Sequence, residues 1–586
     1  DTNKDFALGH LQIGEGGRVV FLDKGQHLSA ERIQVSGGSD SADLLPAGQL
    51  VIGSQHCPIT GTASQLTLEF TGSRPADGSA NSLDGKGIFL GRDGELLMHG
   101  GRGVVSADPT DSTGSNSWTY LSIPAGPQRF SSANGVAAPV PDTAPDTTLT
   151  LARTIDWAVG DWIAVTGTGF ASDQTEFVQI QAIDNSSGVS VVSLHAATPL
   201  LHYHYGSQAP SEGSIGAGTT LCNGVELEGE AKITDLPASF CDGPDRNYGV
   251  DERAVVALIS RSIKLTSDAP ETGSDAHYGG QIKILPGYSV AQIEGVEIEK
   301  FGQDVTNAAA GVSNVKLMSA YPVHFHMVGD VSADTVINSN SIHHSYNKCV
   351  TVHMSNNAVI EHNVCARAVG HSFYLEEGNE VGNTFKFNLA AGAMATQFTP
   401  STDASKFWTG DYLAPRINYN GIDVATTTNG TTPVAVPAGS TNFVNLNKVE
   451  ITNPTAFWIS SPGNAFDNNV AAGCQLQGRG FWVLPETTDV LHTEITSFLN
   501  NRVHSCYNGL DTAADLGSIG QNYTPYLNGE DALAVFDSVT ASRNRNRGIC
   551  LRPNWYHVSN ARLATNRDSV SLVSAGGSEG SPPGEW

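Results

Sequence analysis

Two histidines, His324 and His326, stand two positions apart in the stretch YPVHFHMVGD (321–330), interleaved with Val323, Phe325 and Met327. If this stretch is a strand, alternation sends the three apolar side chains to one face and both imidazoles to the other. Imidazoles displayed in this way bind a divalent ion, carry protons near neutral pH, or are merely solvated. What lies beside them decides among these.

Internal repetition identifies the neighbours. KCVTVHM (348–354) lies over YPVHFHM at a shift of 27 residues, so that Val323 meets Val350, Phe325 meets Val352, Met327 meets Met354 and His326 meets His353. At a shift of 23, SNSIHHSYNKCVTVHMSNN (339–357) lies over HNVCARAVGHSFYLEEGNE (362–380), placing Asn340 on Asn363, Val350 on Phe373 and Val352 on Leu375. Coils stacked on these shifts put Val323, Phe325 and Met327 inside. His326, His353 and Glu376 then form one column facing solvent, with His324, Thr351 and Tyr374 beside it, and GGQIKIL (279–285) supplies Lys283 one coil earlier.

Imidazoles and a carboxylate within reach of one another suit several divalent ions, zinc among them. His324, His326, His353 and Glu376 are therefore expected metal ligands. Without metal, Glu376, His353 and His326 serve as acid and base on a bound sugar. His371, at a coil corner near Glu376, is a further catalytic candidate. Polar ladders also stack on solenoid surfaces for packing alone.

Short strands recurring every 22 to 27 residues, with Asn and Gly at the corners, describe coils about 4.8 Å apart in a parallel β-helix. A propeller blade needs roughly 40 to 50 residues. The expected fold is all-β, a right-handed parallel β-helix. Sixty-three glycines and only 16% charged residues agree with an all-β extracellular chain.

Thirty-two basic against fifty-nine acidic side chains give a net charge of −27, which argues against nucleic acid or an anionic membrane as partner. Oligomeric state is not legible. The eight cysteines show no CxxC spacing, so a zinc ribbon is not expected. Cys222 and Cys241, flanking a polar loop, are the expected disulfide. Sequons at Asn185, Asn429 and Asn522 fit a secreted glycoprotein. No leader peptide is expected to remain, and no apolar run approaches the roughly 20 residues of a membrane span. A mature secreted chain is expected.

Arg253, Lys283, Lys348 and Arg367 gather in the repeat region of this acidic chain, where they would supply the positive patch a uronic-acid polymer needs. Asp251 and Arg253 read equally well as an ion pair at a strand entrance. Trp408, Trp458 and Trp482 follow the histidine column, and indole faces either bind sugar rings or fill cores. Arg253, Lys283, Tyr374 and Trp458 are the expected substrate contacts.

YPVHFHMVGD, SIHHSYNKCVTVH, GHSFYLEEG and NTFKFNLA together resemble the core of the family of vertebrate cell-surface hyaluronidase and cell-migration-inducing hyaluronan-binding protein. The resemblance extends through WAVGDWIAV (157–165), GVDERAVVALISRSI (249–263), YGGQIKILPGYSVAQIEGVEIEKFGQ (278–303) and NPTAFWISSPGNAFDNNVAAG (453–473). LVIGSQHCPITGTASQLTLEFTG (50–72) and GIFLGRDGELLMHG (87–100) look like that family's glycine-eight domain.

The resemblance implies a secreted or ectodomain β-helix protein that binds and cuts hyaluronan internally and depends on calcium, so the expected ion is calcium or a transition metal such as zinc. It assigns no catalytic residue. The expected organisation is a glycine-eight-like β region over 1–125 wrapped onto a β-helix over 126–570, with long loops at 185–250 and 396–450, and a tail at 571–586. The expected function is metal-dependent hydrolysis of hyaluronan or a related glycosaminoglycan; the alternatives are a lyase and a non-catalytic carbohydrate-binding or adhesion protein.

Overall fold

The computed structural model describes residues 5–37, 47–104, 116–126, 147–206, 251–303, 320–395 and 453–572, apart from 62–63, 75–84, 272–274, 487–489, 514–522, 526–533, 553–555 and 565, and short strands at 130–131, 138–139, 424–426 and 433–434. Among these residues there is no α-helix. Two long parallel sheets, of 22 and 11 strands, make a parallel β-helix. Each coil contributes two strands to the larger sheet and one to the smaller, as in Val323–Asp330, Thr335–Asn338 and Ser341–Ser345.

The register is the one the repeat predicts. Val323 pairs with Val350, Phe325 with Val352 and His326 with His353; Val350 then pairs with Phe373 and Val352 with Leu375. The inner residues stack as continuous columns. Phe373, Phe457 and Phe481 lie ring on ring at 4.8 and 4.7 Å, the spacing of neighbouring strands. Each such fully buried side chain contributes about 1.5–3 kcal/mol.

At one corner, Asn340, Asn363, Asn388, Asn469 and Asn501 form a buried ladder, each side-chain amide donating to the next at 2.9–3.2 Å. It satisfies polar groups that a coil corner would otherwise bury unpaired. Disulfides Cys349–Cys365 and Cys474–Cys506 lie within the solenoid; Cys222 and Cys241 fall outside the described residues.

Two features differ from the expected organisation. Strands of residues 5–99 are not wrapped onto the solenoid but form its first coils: Leu66–Phe70 pairs in parallel with Ile263–Ser267, and Gly87–Leu90 with Ile282–Ile284. Between them the chain leaves to build a six-stranded antiparallel sheet from Trp118–Tyr120, Thr148–Thr150, Trp162–Val165, Glu176–Asp184, Val191–Leu194 and Val255–Leu258. The β-helix therefore does not begin at 126. Alternation marks a strand without revealing its partner, so the antiparallel unit was indistinguishable from further coils.

The antiparallel unit has its own core, including Leu149, Ile163, Val178 and Val192. It docks through Trp118, Ala164, Val255 and Ala257 onto Val364, Leu389, Val470 and the column Ala366, Ala391 and Ala472. Methyl-sized side chains in that column let the two layers meet closely. Of the expected loop at 185–250, Val191–Leu194 is a strand of this unit, and 207–250 lies outside the described residues. In the loop at 396–450 only the strand pair Val424–Thr426 and Pro433–Val434 is described. The expected tail begins late, since Ser571 and Leu572 still pair with Cys550 and Leu551 in the last coil.

Candidate functional site: a histidine–carboxylate cluster

Lys283, His324, Thr351, Tyr374, Trp458 and Trp482 are consecutive register partners on one outward column. Facing away from the solenoid core is not the same as facing water, and all six are buried. Tyr321 and Lys348 lie over this column: the Lys348 ammonium sits 4.7 Å from the Tyr321 ring centre and 4.6 Å from that of Tyr374, a cation–π clamp. Two positions further along the strands, His326 and His353 are partly exposed. Met327 and Met354 turn outward, 48% and 37% exposed, instead of entering the core. Both have positive φ, 56° and 46°, so alternation ends at the preceding histidine.

The cluster forms around Glu376, just past the strand Phe373–Leu375. Its Oε1 accepts a hydrogen bond from the Tyr321 hydroxyl at 2.8 Å. Its Oε2 lies 3.6 Å from His324 Nε2 and 3.6 Å from His353 Nδ1, and this buried oxygen has no hydrogen-bond partner among the described residues. His353 Nδ1 is 3.3 Å from His326 Nδ1, and its Nε2 is 3.3 Å from Glu377 Oε1. Glu377 is the solvent-facing member, 48% exposed.

Burial dominates the titration of these groups. It pushes the Glu376 carboxyl up to about 7, against the charges of His353 and Lys348 and the Tyr321 hydrogen bond. Burial, with Lys283 and His353, pushes His326 down to about 4. For His353 burial acts downward, but the Glu377 hydrogen bond and the charges of Glu376 and Glu377 outweigh it, and the net shift is upward. The His353 hydrogen bond, the largest influence, holds Glu377 below the ordinary glutamate value. Burial pushes Lys283 down to about 7, with Glu376 pulling the other way.

The remaining expected site residues are placed differently. His371 is not an acid or base at the surface: it is buried, stacked at 4.5 Å on Trp458 and 5.4 Å on Tyr374, and its Nδ1 accepts the Thr455 N–H at 3.1 Å. Burial, then Lys348, keeps it neutral. Trp458 and Tyr374 are wall residues rather than sugar platforms; the Trp458 Nε1–H donates to Glu486 at 3.2 Å. Trp482 is equally buried, and Trp408 lies outside the described residues.

Arg253 is also elsewhere. It pairs with Asp251 at 2.8 Å and stacks over Tyr120, opposite Arg502, which also binds Asp251. That set braces the antiparallel unit to the solenoid. Arg367 reaches the same unit, donating to the Thr175 carbonyl.

Tyr321, Glu377 and Glu486 were missed as site residues. The Glu376–Glu377 doublet was visible in the sequence. Tyr321 and Glu486 gave no signal, because each arrives from a corner. Glu380, also an acid of this turn, accepts the backbone N–H groups of Met354, Glu377 and Gly378 and shapes the turn that presents Glu377.

A parallel β-helix whose first coils come from the N-terminal segment, bearing this cluster on one outer column, defines the class of protein. A family model described as the G8 domain matches residues 1–107, and one described as the CEMIP beta-helix matches residues 277–510, which include the whole cluster. Residues 1–107 thus match a G8 domain and residues 277–510 a CEMIP beta-helix, and the chain is similar to cell surface hyaluronidase and to cell migration-inducing and hyaluronan-binding protein.

It is 28% identical over 395 residues to the mouse (Mus musculus) cell migration-inducing and hyaluronan-binding protein, covering 59% of this chain and 26% of that one. It is 27% identical over 392 residues to human (Homo sapiens) cell surface hyaluronidase CEMIP2, again covering 59% and 26%. A Dictyostelium discoideum protein is 23% identical over 591 residues, covering 92% of this chain and 44% of that one. The matched region is thus about a quarter of each vertebrate relative.

Proposed function

We propose that this protein makes internal cuts in a polysaccharide by hydrolysis, acting outside the cell, at the edge formed by His326, His353 and Glu377 and backed by Glu376. The observation that carries this reading is the Glu376 Oε2 atom, buried, without a hydrogen-bond partner among the described residues and equidistant from two imidazoles. A proton on it is within reach of His353, which stands at the exposed edge. Glycoside hydrolysis needs one group to protonate the leaving oxygen and another to activate water. Two adjacent carboxyls whose surroundings move them in opposite directions suit that division: Glu376 stays protonated toward neutrality and Glu377 stays ionised.

Hyaluronan or a related uronic-acid polymer is the first substrate to test, because relatives carry the name cell surface hyaluronidase. The assay incubates purified protein with hyaluronan, chondroitin and alginate, with zinc or calcium present, and follows chain length. Glu376→Gln, Glu377→Gln and His353→Ala are each expected to slow cleavage by about 10²–10⁴-fold, the usual worth of a positioned acid or base. Products with an unsaturated, ultraviolet-absorbing end would establish elimination in place of hydrolysis. No shortening of any polymer would leave a carbohydrate-binding protein.

A further inference from the structure

We propose that His324, His326 and His353 hold one transition-metal ion of the zinc class, with Glu376 beside its remaining position, and that calcium is not the ion of this site. The inference rests on the same cluster as the proposed function, but on donor chemistry rather than reaction.

Ligand nitrogens of the three imidazoles all lie within 4.8 Å of one another. Metal–nitrogen bonds of about 2.0–2.1 Å in tetrahedral geometry separate neighbouring donors by roughly 3.3–3.4 Å. His326 Nδ1 and His353 Nδ1 are 3.3 Å apart, and Glu376 Oε2 is 3.6 Å from two of the three rings.

The groups behind these donors are arranged for the same purpose. The His353 Nε2–H points at Glu377, which leaves its Nδ1 lone pair directed inward. The Tyr321 hydroxyl occupies Oε1 of Glu376, which leaves Oε2 for the cluster. A carboxylate behind a ligating histidine and a hydrogen bond behind a carboxylate are the supports that fix metal donors in place. Strand register fixes the rest, since His324 and His326 share one rung and His353 lies on the next.

Calcium needs six to eight oxygens at about 2.3–2.6 Å, whereas the three donors that lie together here are all nitrogen. Glu380, the other acid of this turn, already receives three backbone N–H groups. Glu299, His343 and His344 form a second set of close donors among the described residues, but its one carboxylate, Glu299, is already engaged by the Lys264 ammonium at 2.8 Å. One ion is therefore expected among the described residues.

The test strips the full chain with chelator and titrates it with zinc, cobalt(II) and calcium in the absence of polysaccharide. One equivalent of zinc should bind and resist excess calcium, and cobalt should give the intense visible bands of a four- or five-coordinate site. Glu376→Gln and Glu377→Gln, which conserve shape, should weaken zinc by ~10–100-fold. His353→Ala should abolish the cobalt spectrum, whereas His343→Ala should leave it intact. Calcium binding that is lost in His353→Ala, or zinc binding unchanged by every one of these substitutions, would overturn the assignment. Because binding is read without substrate, its failure would leave the polysaccharide reading to its own assay.

Discussion

His326 and His353, 27 residues apart in the chain, are register partners on adjacent coils with Nδ1 atoms 3.3 Å apart. Each ring therefore titrates in the field of the other. Burial comes first in holding His326 down to about 4, followed by Lys283 and then His353. In metal-free protein, His353→Ala should raise the His326 pKa while leaving it below the ordinary 6.5, as followed by NMR of the imidazole signals. A value that stays put or falls would show that the two rings do not communicate.

Glu376 makes metal-free stability depend on pH. Its folded pKa, about 7, lies above the ordinary 4.5, so the folded state binds the proton more tightly than the unfolded chain. Its contribution is full below about pH 4.5 and is lost as pH rises through 7. With chelator present, the melting temperature should fall between pH 5 and 7.5, and Glu376→Gln should flatten that decline. An equally steep decline in the variant would place its origin elsewhere.

The asparagine ladder should be among the least replaceable features of the fold. Asn388 donates to Asn469 and to the Ile360 carbonyl, and accepts from the Asn363 side chain and backbone. Asn388→Ala should cost roughly 1–3 kcal/mol for each buried group left unpaired, as measured by denaturant unfolding. Asn356, half-exposed on the rim, provides the comparison: it accepts the Val381 N–H and donates to Asp330 where water can replace both, so Asn356→Ala should cost less, about 1 kcal/mol or under.

Overpacking the docking face should loosen the antiparallel unit. Ala391→Leu places a branched side chain in the middle of the alanine column, beneath Trp118 and Ala257, at about 1–3 kcal/mol. Limited proteolysis should then cut first between 116 and 206. Unchanged cleavage in that segment would mean that the interface tolerates the added volume.

Much of this architecture was legible because a solenoid writes its register into its interior. Val323, Val350 and Phe373 recur at the same inner position, and the shifts they define place His326 on His353 without further information. Burial of the outer column was not legible. Tyr374 and Trp458 point away from the core, yet Tyr321, Lys348 and His371, which arrive from corners, pack against them. No periodicity encodes a corner residue's reach, which is why Tyr321 went unnoticed while its partner Glu376 did not. Met327 failed for a local reason, since a left-handed backbone ends the alternation one residue earlier than the apolar pattern implies.

The rungs on either side of the excursion between Leu375 and Phe457 have one further consequence. His371 accepts the backbone N–H of Thr455, 84 residues further on, and Tyr374 pairs with Trp458 as regularly as Thr351 pairs with Tyr374 after a far shorter step. Closing the wider gap costs only about 1 kcal/mol more in chain entropy, because that penalty grows with the logarithm of length. Corner segments of this scaffold are therefore free to lengthen, shorten or be exchanged without disturbing the rung beneath. New loops can be grafted at the corners while the histidine-bearing rungs stay fixed.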